Sequence, residues 1–401
     1  KVVEKEVKQE AEAQVEAGWK ILVHTLDLDN NELRFDNDNS PRLKQGMDYA
    51  QLNAKDFTLQ ARDLLFGVDT IGGTITRATM KEQSGFVLNE LRTEFLYTNQ
   101  GAELRDLYIK TPGTEIKRSA AIRYASVESL AKDPGNIQVD LDIRDSKIRA
   151  GDVLVFVPAL RQQPAFADPG AVWLINSRVS GRVADLEIGT LQVQGLKDTR
   201  IDISGNIAGL PTMKDMRANL IIRDFSSTRS DILSFLPQNT LPDGIALPAR
   251  FKAKGSIKGT SSRMETDLSL HTDLGDAMVK GSFSQLDDPG RMGYNARIET
   301  RSLDLGTILQ NREMLGSLSI TITVKGTGLD PKTADAAFDA IVHSALINKY
   351  TYHDVKLNGR VARQKADMNA VVADSNIAMN IHAKADLAGQ YPAVQVDGMI
   401  D

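Results

Sequence analysis

The stretch Ile222-Arg223-Asp224-Phe225, followed by Ser230-Asp231-Ile232-Leu233-Ser234-Phe235-Leu236-Pro237, has a second copy in the same chain. Ile143-Arg144-Asp145 repeats its opening, and Asp152-Val153-Leu154-Val155-Phe156 lies over Asp231-Ile232-Leu233-Ser234-Phe235. Pro158 follows Ile143 by fifteen residues, as Pro237 follows Ile222. The offset is 222 − 143 = 79 residues. A fainter copy starts at Ile298, offset 298 − 222 = 76, with Thr307-Ile308-Leu309 in place of Asp231-Ile232-Leu233. Self-similarity at a near-constant spacing marks an array of like units rather than one closed globule. Each unit reads as a strand, a polar turn and a short apolar segment that proline stops or that breaks up. A period this long holds several strands.

Composition narrows the classes. The 401 residues are 41% hydrophobic and 25% charged, ordinary values for a soluble protein. Length alone would predict two or three domains, but in a repeat array each unit needs only its neighbours. A net charge of −5 and an aromatic content of 5% argue against nucleic acid, which calls for a basic face and stacking rings. With no cysteine, disulfides and thiolate metal sites are excluded. The longest apolar run, Val153 to Leu160, is interrupted by Pro158, and a spanning helix needs about 20 apolar residues, so none is expected. The opening at Lys1 and the strand-like end at Met399-Ile400-Asp401 read as a piece of a longer protein.

Residues 1–18 are dense in Glu, Lys, Gln and Ala and read as a charged linker helix ended by Gly18. From Trp19 the period becomes two. A strand is expected through Leu26-Asp27-Leu28, then turns at Asp29-Asn30-Asn31 and at Asp36 to Pro41. Residues 19–140 form one expected β module, and residues 141–401 form the repeats. Strands recur there every 10 to 15 residues, many ending in glycine, as at Val179-Ser180-Gly181, Ile203-Ser204-Gly205 and Lys254-Gly255-Ser256. Repeated glycine inside strands predicts a sheet that bends systematically.

Three segments show the alternation most clearly. Ile377, Met379, Ile381, Ala383, Ala385 and Leu387 share one face, opposite Ala378, Asn380, His382 and Lys384. Leu318, Ile320, Ile322 and Val324 alternate with Ser319, Thr321 and Thr323, and Met264, Leu268 and Leu270 oppose Glu265, Asp267, Ser269 and His271. A sheet with one apolar face must cover it. Helix is too scarce to do so; Ser230 could cap a single turn ending at Leu236. Sheet curvature or a bound apolar guest is expected to provide the cover.

These residues resemble a known family. The glycine-ended strands, the Ile-Arg-Asp…Asp-Ile-Leu…Pro repeat, and Ala296-Arg297-Ile298…Leu303-Asp304-Leu305-Gly306 are similar to AsmA-like proteins, and among them to the TamB group of Bacteroidetes-like bacteria. Lys81-Glu82-Gln83-Ser84-Gly85-Phe86 resembles a Lys-Glu-x-Ser-Gly-Phe phrase of that group. Asn348-Lys349-Tyr350-Thr351-Tyr352 resembles its Asn-Gly-Tyr-x-Tyr phrase, with Lys349 in place of Gly. Trp19-Lys20-Ile21…Leu26-Asp27-Leu28 resembles the start of one of its modules. The likeness covers residues 19 to 401.

The resemblance implies an all-β, elongated, strongly curved repeat sheet with few short helices, folded as a groove. It implies a periplasmic location, an inner-membrane anchor outside this segment, and movement of phospholipid between the membranes. An outer-membrane barrel partner would be met through parts of a parent chain not present here. The groove lining is then Met264, Leu268, Leu270, Leu318, Ile320, Ile322, Val324, Ile377, Met379, Ile381 and Leu387, with phospholipid acyl chains as the guest. A second expectation is a scaffold that assists assembly of outer-membrane proteins by strand pairing. A third, a polysaccharide-active β-helix enzyme, needs an acidic cluster that the sequence does not show. A closed sandwich core would use the same alternation.

No catalytic residue, cofactor or metal is expected. His24, His271, His343, His353 and His382 do not pair at helical spacing. His353 and Asp354 are adjacent in a strand and point to opposite faces. Asp27 to Asp38 lacks both the glycine and the glutamate of a calcium loop. Gly326-Thr327-Gly328 lacks a third glycine and a following helix. The recurring Arg144-Asp145 and Arg223-Asp224 read as a repeated turn contact.

Overall fold

The computed structural model describes residues 19–43, 45–163, 166–235, 244–260, 262–286, 288, 290–328, 334–374, 377–388 and 393–400. The linker helix expected over residues 1–18, Leu236 and Pro237 lie outside them. The described chain is all-β, built of antiparallel neighbours joined mostly in chain order, in two compact units divided after Leu196.

The first unit holds β1 (Lys20–Asp36), β2 (Gln51–Gly67), β3 (Thr70–Glu82), β4 (Val87–Thr98), β5 (Gly101–Lys110), β6 (Glu115–Arg123), β7 (Gln138–Arg149), β8 (Val172–Arg182) and β9 (Asp185–Gly195). Each pairs antiparallel with the next. The second unit holds β10 (Thr199–Ala208), β11 (Arg217–Thr228), β12 (Arg250–Thr260), β13 (Arg263–Thr272), β14 (Gly275–Ser284), β15 (Gly293–Arg301), β16 (Leu303–Asp304), β17 (Leu315–Thr327), β18 (Asp335–Ile347), β19 (Tyr350–Ala362), β20 (Lys365–Asp374), β21 (Ile377–Asp386) and β22 (Ala393–Ile400). The short β16 follows β15 onto the same partner, β17.

The turn expected at Asp29-Asn30-Asn31 is not a turn. β1 continues through it, and the register against β2 slips between Leu28 and Asn31, with Asn30 at φ 53°. Polar residues that would close a hairpin here make a β-bulge instead, because the partner strand is long enough to carry the ladder past them.

The repeated phrase has one structure. In both full copies the register slips just after the isoleucine, between Ile143 and Ser146 and between Ile222 and Phe225. Seven residues after it a short helix begins: Ala150–Phe156 (150 − 143 = 7) and Arg229–Phe235 (229 − 222 = 7). The faint copy follows the same plan, with Ser302 at φ 48° breaking the strand and helix Leu305–Ile308 starting at 305 − 298 = 7. Thr228 rather than Ser230 caps the second helix, its Oγ1 accepting from Asp231 N at 3.3 Å.

Asp152 and Asp231, equivalent at 231 − 152 = 79, are buried and hold these helices to an earlier turn. Asp152 accepts from Thr111 Oγ1 at 2.5 Å, Thr114 Oγ1 at 2.6 Å and Arg149 Nη2 at 2.6 Å. Asp231 accepts from Thr199 Oγ1 at 2.8 Å and Asp198 N at 3.0 Å. Where Thr307 replaces this aspartate, Asp304 caps the helix, accepting from Thr307 N at 2.9 Å.

The Lys81–Phe86 phrase is the β3–β4 turn. Glu82 accepts from Asn53 N and Ser84 N, Gly85 takes φ 90°, and Phe86 packs edge-on against Phe156 at 5.0 Å. It ties the first repeat helix to the cluster of Met47, Phe86 and Leu88.

Burial disfavours the Asp152 anion, but its hydrogen bonds from Thr111, Thr114 and Arg149 outweigh that and hold the carboxyl below the ordinary aspartate range. A folded-state pKa below the unfolded one adds stability above the unfolded value, and that stability is lost as pH falls through the folded one. Asp152→Asn should therefore lower unfolding free energy by about 2 kcal/mol at neutral pH. The deficit should shrink below about pH 4. Chemical denaturation of both proteins across pH 2–7 checks this; a deficit independent of pH would contradict it.

Candidate functional site

The candidate site of the second unit is one face of its sheet. Its strands are short and alternate apolar with polar residues, and the antiparallel register sets like against like. Ile203 lies opposite Ile222, which lies opposite Gly255, then Leu268, Val279 and Ile298. The row continues through Ile322, Ala340, Leu357, Ala370, Ile381 and Gly398. At a strand spacing near 4.8 Å, this row is about 50 Å long. A second row beside it includes Leu220, Ile257, Ala296, Val324, Phe338, Met368, Ala383 and Val396.

Glycine is required twice in these rows. Gly205 and Gly255 take φ 136° and 141°, and a Cβ at either would overlap the carbonyl oxygen of Asn219 or Asp267 on the neighbouring strand. The glycine-ended phrases are thus sites of close strand approach.

Leu268, Ile322 and Ile381 stand in the central row and Val324 in the second. Met264 lies opposite Phe283, Leu270 opposite Ala277, Ile320 opposite Val342, Leu318 opposite Ala345 and Met379 opposite Val372. All nine are half-buried. Leu387 falls beyond the end of β21, where its N–H donates to Gln364 O at 2.7 Å, so it has no place in the ladder. The side chain of Ile377 lies outside the described residues. Alternation in the sequence did not single out Val342, Val355 and Val372, yet they form the buried centre on which Leu318, Ile320, Leu357 and Met379 pack. The signal for them was weak because alanines dilute β18 and a register slip at Ser319/Ile320 breaks its period.

The first unit has an apolar row of its own: Phe95, Leu104, Ala120, Leu141, Val179 and Ile188. β7 runs unbroken through residues 140 and 141.

No second sheet lies on either face among the described residues, and the longest described helices have seven residues. The opposite face of the second unit is charged and wet. Asp267 pairs with Lys280 at 2.9 Å, Glu299 with Arg297 at 2.8 Å and Asp335 with Arg360 at 2.9 Å, all exposed or nearly so. His271 meets Asp276 at 3.0 Å and His382 meets Asp367 at 2.7 Å across strands, and His343 Nε2 lies 3.1 Å from Thr321 Oγ1. Arg144 and Arg223 bond to Asp142 and Asp202, surface contacts of the bulges.

Among the described residues, no three His, Asp or Glu side chains are grouped to hold a metal, and no helix is long and apolar enough to cross a membrane. What the apolar face can do chemically is desolvate a nonpolar guest, at about 0.8 kcal/mol per methylene buried. Compared with known proteins, the chain matches no family model, no curated relative and no solved structure.

If the half-buried rows are open to a guest, an apolar fluorescent probe should bind the protein. Ile322→Gln together with Leu357→Gln should cut that binding several-fold, while Thr323→Gln leaves it unchanged. Fluorescence titration, with circular dichroism as a check on folding, distinguishes the outcomes.

Proposed function

We propose that this chain carries phospholipid acyl chains along its apolar sheet face, as part of a periplasmic bridge between inner and outer membranes. The supporting observation is the pair of in-register apolar rows, half-buried or buried except at Met368, Val396 and Gly398, with no second layer over them among the described residues. Val342, Val355 and Val372 are only 6%, 9% and 6% exposed, with neighbours from the same sheet around them. A flat single sheet leaves its side chains open on one side. Shielding of this degree by lateral neighbours supports a concave, strongly curved sheet, a groove of the kind the AsmA-like resemblance implies.

The energetics favour movement over storage. Each buried methylene contributes about the same 0.8 kcal/mol wherever it sits along an aliphatic row. Sites one strand apart are then nearly equal, so a tail can shift by a strand without leaving the face. Glycine and alanine at Gly255, Ala340, Ala370 and Gly398 leave room between the larger side chains. Headgroups remain in water at the open side. The inner-membrane anchor of a parent chain belongs to the same proposal.

A photo-crosslinking residue at Ile320 or Ile381 should capture phospholipid in cells, and one at Thr321 or His382 should not. Equal capture from both faces, or none from the apolar one, would overturn the proposal.

A further inference from the structure

One corner of the first unit is apolar on both faces of its sheet. β1 opens there, beside the β2–β3 and β4–β5 turns. Residues directly opposite each other on neighbouring strands share a face. On the face that carries Phe95 and Leu104, Ile21 lies opposite Phe66, Phe66 opposite Ile71, and Ile71 opposite Tyr97. On the reverse face Leu22 lies opposite Leu65, Leu65 opposite Gly72, and Gly72 opposite Leu96.

Ile21, Leu22, Val68, Ile71, Leu96 and Tyr97 are between 39% and 61% exposed. Large apolar side chains open to water at adjacent positions mark a contact surface. The patch is local to the corner. Past Leu96 the reverse face turns polar, through Glu103, Ala121 and Asp140. The charges beside it, Lys20 and Asp69, are one of each sign.

The two-sided exposure narrows the partner. A strand added alongside β1 would cover Ile21 and Leu22, but Ile71 stands two strands in and Leu96 and Tyr97 three, about 10 and 14 Å away. A protein docked on one face would leave the other wet. A lipid surface closes around an inserted corner and covers both faces at once. Trp19 to Leu22 spans about 10 Å of extended chain, a depth that matches the roughly 5–10 Å to which peripheral elements enter the headgroup boundary. Water still reaches the free backbone groups of the β1 edge at that depth, as it would not in the hydrocarbon core. Trp19, itself 60% exposed, and Tyr97 are the ring types that favour this boundary.

We infer that this corner inserts into the surface of a phospholipid bilayer, held by apolar side chains from both faces of the sheet and not by charge. One side of it runs on into the sheet: Tyr97 lies opposite Ala102, then Ile122 and Val139 follow in register. A tail leaving the bilayer meets that row first. This last step rests on the acyl-chain reading; the membrane contact does not.

The chain has two tryptophans, so Trp173→Phe leaves Trp19 as the only one. Mixed with phosphatidylcholine vesicles, that protein should shift its emission to the blue and be quenched by lipid brominated high on the acyl chains. Raising salt to about 1 M should change the binding less than about twofold. Leu22→Asp on one face and Ile21→Asp on the other should each weaken vesicle binding at least about tenfold. Should Leu22→Asp fail to fold, Leu96→Gln on the same face should weaken it as well. Binding lost with Ile21→Asp but kept with the reverse-face variants would mean a one-faced contact and overturn the inference. So would binding that needs anionic lipid, no shift of Trp19 with vesicles, or self-association that buries Trp19 in their absence. Phospholipid capture at Ile381, in the other unit, reports on the acyl-chain reading separately, and either result can fail without the other.

Discussion

Antiparallel register is the constraint on which this structure rests. A strand has a side-chain period of two, so a slip of one residue would move each apolar side chain from the shielded face to water. Along the row from Ile203 to Gly398 the second unit keeps its register across twelve strands, the slips at Ile222/Phe225 and Ser319/Ile320 lying beside that row. Tight turns help to fix it. Asn348-Lys349 and Arg363-Gln364 close two-residue hairpins with both residues at positive φ, the geometry whose twist suits the flanking strands. Lys349 occupies a left-handed position where glycine would be less strained, and the ladder on either side keeps it there.

The repeat solves a second problem, how a long meander leaves its sheet and returns. A bulge after the isoleucine bends the strand, and a single short helix follows seven residues on. A buried aspartate fastens that helix to threonines from an earlier turn. In the faint copy the aspartate is replaced by Thr307; Asp304 caps the helix locally, and its backbone N–H donates to Leu274 O of an earlier turn at 2.7 Å. The sequence likeness of the copies is therefore mostly a likeness of strand exits. The apolar rows need only alternation, which many residues satisfy, so they leave little trace as a motif.

That difference decides what was legible beforehand. The all-β class followed from the period of two and from turn spacing. Nine of the eleven expected lining residues fall on one sheet face because unbroken alternation, as in Ile377 to Leu387, leaves few alternatives; Leu387 fails because β21 ends at Asp386. Bulges were not legible, since Asp29-Asn30-Asn31 has the composition of a turn and only its pairing with β2 shows otherwise. Nor were Val342, Val355 and Val372, whose burial depends on neighbours in three different strands.

Carriage of acyl chains requires an apolar face free to hold a guest. Native mass spectrometry of the gently purified chain tests this most directly. Protein carrying one or more phospholipid masses, released as collision energy rises and absent when Ile298 and Ile322 are replaced by aspartate, is the result expected. Protein bare of lipid under conditions that preserve known lipid complexes, with an apolar face that no added lipid enters, would contradict it.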